Sequence, residues 1–450
     1  MKWFIRLLFV LVVFGWLAAQ LNFINADAVF HSPSVGRGDF TDEGLNTFQL
    51  RNFINHGELN FNSGDDLIKT PLYNLLLFLP LKFIGNTFTV ARISYLLLVL
   101  LLALVCTRYT NQKFGLLFFL IPMLHEVIFQ YSHMVMAEMS ASICVATFII
   151  LIHRAVLRID FNLSRFILAS TLPLVTFILK IQFAYTLLLI PFYAVVIYLS
   201  KVWIDFVWMK IGLMISVLIA GILLFIFSWY LPLKNVFTTQ LHDQSFSFTI
   251  NSYTINTIAF NIKWLWQTGN SKIYIIAFVL CVLVGCYLMK KSDVPYRHRF
   301  LLALFWCALE SHKLMMSYLP HRYMISVWFA MGFLISIVLL ELFTVYPYRF
   351  FQYPFAAVAF IISISQLSNI FWQWKHQAYN IENINKQMSN LQLKNETVVG
   401  VWATIEAWNS GAMVYPLWNH QQIKNPIQKL HADYIISEFD EGDSDGAFIK

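Results

Sequence analysis

The sequence predicts an all-α polytopic membrane protein of about eleven transmembrane helices, followed by a small extracytoplasmic α/β domain. Three observations carry that prediction. Hydrophobic residues make up 58% of the 450 residues and charged residues 12%, against roughly 45–50% and about 25% in soluble globular chains. The apolar residues are gathered into runs of the length that crosses a bilayer, about 20 residues per helix. From about residue 373 the chain turns polar. The same numbers exclude a soluble multidomain protein, a disordered chain, a disulfide scaffold and a coiled coil. The net charge of +7 comes from cations in short clusters between apolar runs, which points to membrane topology and not to nucleic acid. The five cysteines lie in or beside apolar runs without metal-ligand spacing, as small buried hydrophobes do.

The spans are expected at 4–23, 88–106, 114–129, 136–153, 165–179, 182–200, 211–231, 273–289, 299–316, 323–343 and 351–371. With Met1 in the cytoplasm, 14 of the 31 cations fall inside together with four of the 24 acids. The other side receives 17 cations and 20 acids, so the excess of positive charge inside supports this orientation. An alternative makes the first segment a signal peptide, with Ala26-Asp27-Ala28 as its cleavage site; both readings leave residues 29–87 outside the cytoplasm. The expected domains are a membrane part, residues 1–372, whose first outer loop covers 24–87, and an outer α/β domain, residues 373–450. In the latter, strand-like ETVVGVWA and ADYIISEFD flank a short helix near 421–430. Residues 232–272, with Asn, Thr, Ser and aromatics, read as an interfacial loop.

The first outer loop carries the densest chemistry. Thr41 is placed to cap a helix whose first turn holds Asp42 and Glu43 and which Gly57 ends. Acids at a helix start also arise merely to complement its dipole. Next come Lys69-Thr70-Pro71-Leu72 and an apolar helix ending at Gly85, too short to span comfortably and therefore expected in the interface.

Asp-Glu after the first span, a helix ending in Gly, Lys-x-Pro-Leu, and then LLLFLPLKFIGNTFTVARISYLLLVLLL resemble the GT-C superfamily of membrane glycosyltransferases. The nearest branch is the one holding lipid A aminoarabinose transferases and protein O-mannosyltransferases. FQYSHMVMAEMSASICVATFIIL resembles its second acidic motif, with Glu138; LVTFILKIQFAYTLLLIPF its span pair with an outer lysine, Lys180; and LPHRYMISVWFAMGFL its late Arg-Tyr motif, Arg322-Tyr323. The resemblance covers roughly residues 1–345 and rests on the order and spacing of short motifs.

It implies an inverting transferase that moves a sugar from a polyprenyl-phosphate donor to an envelope acceptor, a glycan, glycolipid or protein, at the outer face of a bacterial-type inner membrane. Such a reaction needs a base for the acceptor hydroxyl and fixed cations for the phosphate leaving group. Asp42 matches the family's base, with Asp39 as runner-up and Glu43 in support; Glu138 is expected to help bind the acceptor or a cation. Lys69, Lys180 and Arg322 are the candidates for the donor phosphate, although snorkelling cations at helix ends are equally common. Tyr323, His133 and Glu310 are expected to line the cavity, and Glu310 could equally form a local pair with Lys313. The resemblance assigns no certain cofactor; a divalent metal, which some branches use, could be held by Asp39, Asp42 or Glu138. The expected partners are the lipid-linked donor, the acceptor and the bilayer, without nucleic acid. Two other readings stand beside this one: a transporter or flippase, and a polymerase or ligase of envelope glycolipids.

Overall fold

The computed structural model describes residues 2–27, 41–59, 67–158, 162–243, 252–267, 271–316, 319, 321–346, 349–400, 402–417 and 426–436. The chain runs α1 (Lys2–Asn22), α2 (Thr41–His56), α3 (Pro71–Phe83), α4 (Phe88–Arg108), α5 (Gln112–Leu120), α6 (Glu126–Tyr131), α7 (Ala137–Leu157) and α8 (Leu163–Leu179). It continues through α9 (Leu189–Leu199), α10 (Asp205–Phe225), α11 (Lys234–Asp243), α12 (Ser252–Gln267), α13 (Ser271–Leu288), α14 (Val294–Glu310), α15 (Ile325–Val345), α16 (Arg349–Lys375) and α17 (Asn380–Asn390). Then come β1 (Thr397–Gly400), α18 (Ala403–Glu406), β2 (Met413–Pro416), α19 (Pro426–Lys429) and β3 (Tyr434–Ile435).

This is an all-α polytopic membrane protein with a small α/β element near its end. A helix satisfies its own backbone and so can cross hydrocarbon. Among the described residues, eight helical segments are long and apolar enough to do so. Three of the expected eleven segments depart from that pattern. The segment expected at 114–129 is two short helices, α5 and α6, separated by a turn that contains Pro122, because a proline cannot continue the hydrogen-bond ladder. Helices α8 and α14 have 17 residues each, α8 with Pro173 inside it and α14 with Arg297, His298 and Arg299 in its opening turns. Residues 232–272, expected as an interfacial loop, contain the helices α11 and α12.

Helices α7 and α15 form the centre of the bundle and are buried along nearly their whole length. Helix α7 opens Ala-Glu-Met-Ser-Ala-Ser, and small side chains let neighbouring helices approach it closely. Around them, helices such as α1 and α10 leave Leu11, Phe14, Leu213 and Leu224 exposed on an apolar outer surface.

Helix α2 keeps the bounds the sequence suggests. It stops at His56, and Gly57 follows with φ +77°, a left-handed conformation that terminates a helix at little steric cost in glycine. Helix α3 likewise ends before Gly85, which has φ +150°. The C-terminal sheet has the order β2-β1-β3, all parallel, with Val398 and Val399 of the central strand fully buried. Strand β2, α17 and α18 were not expected from the sequence. The expected boundary at 373 falls within the last turn of α16.

Helix α2 is bound to this sheet more closely than its place in the first loop suggests. Phe48 enters the sheet's apolar core and meets Tyr415 edge-on at 6.3 Å. Arg51 is fully buried and donates to the backbone carbonyls of Trp408 (2.8 Å), Ala412 (2.7 Å), Ala407 (3.1 Å) and Ser410 (2.6 Å). Burial lowers its guanidinium pKa to about 9. The Asn52 amide donates to the Val414 carbonyl at 2.8 Å. At Gly44 a Cβ would lie 2.6 Å from Thr404 Oγ1 and 2.8 Å from the Ile405 nitrogen, so only glycine fits between α2 and α18. Gly44→Ala is therefore expected to destabilise the protein by about 1–3 kcal/mol, the usual range for overpacking. Thermal unfolding in detergent checks this, and an unchanged midpoint would show that α2 can move away from the sheet.

Candidate functional site

Charged groups are rare in this chain, and several of them meet at one end of the bundle, at the starts of α2, α4, α7 and α15 and the ends of α8 and α14. Three carboxylates are buried there, each with a cation. A buried charge is expensive unless it is paired and hydrogen-bonded, so such a cluster in an apolar bundle marks a site.

The first pair is Glu43 with Arg92. Arg92 stands one turn into α4 and donates Nε to Glu43 Oε1 at 2.9 Å and Nη2 to Oε2 at 2.5 Å. Its Nη1 donates to the carbonyls of Ile24 (3.0 Å) and Ala26 (2.7 Å). The Val135 backbone N–H donates to Glu43 Oε1 at 2.8 Å. Both side chains have no exposed surface. Glu43, expected among the catalytic acids, thus has both oxygens engaged and ties α2 to α4 and to the strand-like entry of α7. The fork shape of guanidinium makes this two-point grip, which a lysine cannot copy.

The second pair is Glu138 with Lys180. Glu138 lies in the first turn of α7 and Lys180 directly follows α8, and the ammonium donates to Glu138 Oε1. Lys180, expected to meet the donor phosphate, faces a carboxylate in this structure. The other oxygen, Glu138 Oε2, is buried with no hydrogen-bond partner.

The third pair is Glu310 with Lys313 at 2.8 Å. Trp306 Nε1 donates to Glu310 Oε1 at 3.0 Å, Ser326 Oγ donates to Oε2 at 2.7 Å, and the Tyr185 hydroxyl also donates to Oε1. Glu310, expected on a cavity wall, is enclosed by this network, and its local partner Lys313 accounts for its charge.

The other expected residues are distributed around these pairs. Asp42 is the second residue of α2, next to Glu43, and its side chain lies outside the described part of the structure. Asp39 also lies outside the described residues. Lys69 is half-buried in a 3-10 turn, Leu67–Lys69, that packs beside α2 and α3. Arg322 is buried, with its guanidinium 5.0 Å from the centre of the half-buried Tyr323 ring, in a turn packed on α6 and α15. His133 is buried, its Nδ1 2.9 Å from Gln20 Oε1. Burial, reinforced by the nearby Arg92 charge, holds its pKa well below the ordinary histidine range, so the ring is neutral.

Sequence reasoning missed Arg92, Tyr185, Ser326 and Arg51. Arg92 alone left a signal, a cation inside an otherwise apolar run, which is a functional-site indication by default. Among the described residues, no three His, Cys, Asp or Glu side chains come together as a metal-binding group. Of the acids expected to hold a cation, Glu138 already binds Lys180, and the described carboxylates do not form a donor set for a divalent metal.

The fold is shared with solved membrane-protein structures. The structural neighbours are particular. One is ArnT from Cupriavidus metallidurans in the apo state, with a TM-score of 0.60, 11% identity, and coverage of 95% of this chain and 88% of that one. The same protein bound to undecaprenyl phosphate gives a TM-score of 0.56 and 13% identity, covering 90% and 85% of the two chains. The archaeal oligosaccharyltransferase AglB from Archaeoglobus fulgidus, in complex with an inhibitory peptide and a dolichol-phosphate, gives 0.56 and 10%, covering 92% of this chain and 64% of that one. A further structure of that oligosaccharyltransferase is a complex with Zn and sulfate, at a TM-score of 0.52 and 9% identity. No protein-family model and no curated protein sequence matches the chain.

Proposed function

We propose that this protein is a membrane glycosyltransferase that moves a sugar from a polyprenyl-phosphate donor to an envelope acceptor at the extracytoplasmic face. Residues 1–372 form the membrane part and 373–450 the outer unit. The observation that carries the reading is the gathering of Glu43–Arg92, Glu138–Lys180 and Glu310–Lys313 at one end of an apolar bundle. That is the end at which a lipid-linked donor and a water-borne acceptor can meet. The likeness of the fold to proteins bound to undecaprenyl phosphate and dolichol-phosphate supports a donor of that chemical class.

In this reading the acceptor oxygen attacks the anomeric carbon from the side opposite the phosphate, and the carbon–oxygen bond to the phosphate breaks with inversion. Asp42 takes the hydroxyl proton as the bond forms. Lys69 and Arg322 meet the charge that grows on the departing phosphate. Lys180 joins them when the phosphate competes with Glu138 for its ammonium. No step runs through a metal.

A transporter would be expected to hold its ionisable groups near mid-bilayer, on broken helices in repeated halves. The three buried pairs lie instead at helix ends. The two classes are separated by reconstituting the full chain in proteoliposomes with polyprenyl-phosphate-linked sugar and an envelope lipid extract. Transfer predicts free polyprenyl phosphate, released only when acceptor is present. Intact donor crossing to the other leaflet without release would make the protein a flippase and end the transferase reading.

A further inference from the structure

Tyr73 stands in the first turn of α3, four residues after Lys69. It has no exposed surface, and its hydroxyl has no hydrogen-bond partner. Its neighbour Asn74 is occupied in fixing α3 to α2, donating to the Asn46 carbonyl at 2.8 Å. The Tyr73 ring meets Tyr95 edge-on at 5.6 Å. The Tyr95 hydroxyl donates to the carbonyl of Met136, two residues before Glu138. The charges of Glu43 and Glu138 both act on the Tyr73 phenol. Glu138 Oε2 is also buried without a partner, as are Asn74 Oδ1 and Asn46 Nδ2 between α3 and α2.

Tyr73 Oη is thus an unused donor and Glu138 Oε2 an unused acceptor. Packing alone does not account for the phenol, since phenylalanine would fill the same space without burying a hydroxyl, and buried polar groups in folded proteins are almost always bonded. An alcohol group complements both atoms at once: its oxygen accepts from Tyr73 and its proton goes to the carboxylate.

We propose that Tyr73 Oη and Glu138 Oε2 form a subsite that reads a hydroxyl of the sugar carried by the donor lipid. This rests on the glycosyl-transfer reading above. The donor sugar is favoured over the acceptor because two cations assigned to the donor phosphate flank the pair. Lys69 precedes Tyr73 by about one turn, and Lys180 is bonded to the other oxygen of Glu138. The sugar hangs from that phosphate. Tyr73 is therefore a specificity-determining residue, because a site built to bond a hydroxyl strongly rejects analogues that lack it.

The test uses the full chain in nanodiscs, with undecaprenyl phosphate alone and undecaprenyl phosphate carrying single hexoses as probes. The wild-type protein is expected to bind one of the sugar-linked lipids at least about tenfold more tightly than the bare phosphate, a modest share of the discrimination such sites reach. Tyr73→Phe should erase most of that preference while leaving the affinity for bare undecaprenyl phosphate unchanged. Its thermal midpoint should not fall, since the hydroxyl bonds nothing in the folded protein. If Tyr73→Phe keeps the full preference, a trapped water satisfies the phenol and the proposal is overturned, while the transferase reading stands. If donor preference is kept and the acceptor KM rises, the hydroxyl belongs to the acceptor and the proposal is again overturned. If the wild type favours no sugar-linked lipid over bare phosphate, the donor reading fails and the proposal falls with it.

Discussion

An Arg92→Met protein is expected to lose about 3–5 kcal/mol of folding stability, the range seen when one partner of a buried ion pair is removed. Methionine fills much of the arginine's volume, so the loss would come from electrostatics. The Glu43 carboxylate would keep the Val135 N–H, and the carbonyls of Ile24 and Ala26 would lose the Arg92 donor. The guanidinium also lies 4.1 Å from the centre of the Phe88 ring, a contact that disappears with it. Because Arg92 joins the end of α1, the start of α2 and the first turn of α4, transfer activity should fall with stability. The double variant Glu43→Gln/Arg92→Met should recover a large part of the loss, since no unpaired charge is then left buried. Unfolding in detergent checks both proteins. A single variant within about 0.5 kcal/mol of wild type, the usual span for surface substitutions, would show that the pair does not hold the site together.

Asp42→Asn is expected to lower the transfer rate by about 10²–10⁴-fold, the usual contribution of a positioned base, with donor binding and stability unchanged. The amide has the shape of the carboxylate but cannot take a proton from the acceptor hydroxyl. Its neighbour provides the contrast. Glu43→Gln removes the charge that Arg92 grips and should act mainly on stability, although the two acids are adjacent in the sequence. Wild-type transfer by Asp42→Asn protein would remove Asp42 from the chemistry.

The sequence made the membrane spans legible because each is a long apolar run with its own hydropathy signal. The bounds of α2 were legible because its punctuation is local, Thr41 at the start and Gly57 at the end. The break between α5 and α6 was hidden because Ile121 to Leu124 stays apolar through the turn, and only Pro122 marks it. Helix α17 was hidden by its Asn and Gln content, yet Ile381 and Asn385, four apart, share a buried face. Strand β2 has four residues and ends in a proline, too short for a pattern. The site was legible as a set of residues but not as a set of partners. Glu43 and Arg92 are 49 positions apart, Glu138 and Lys180 42, and no periodicity connects them. Hence Glu43 was expected in support of Asp42 and Lys180 at the donor phosphate, while the structure joins each to an opposite charge.

The most direct measurement is mass spectrometry of the lipids that co-purify with Asp42→Asn protein, in which the donor should bind but not react. Polyprenyl phosphate with its sugar still attached is the expected species, with wild-type protein carrying the sugar-free lipid after incubation with acceptor. Retention of ordinary phospholipids only, by both proteins, would contradict a lipid-linked donor and the transferase reading with it.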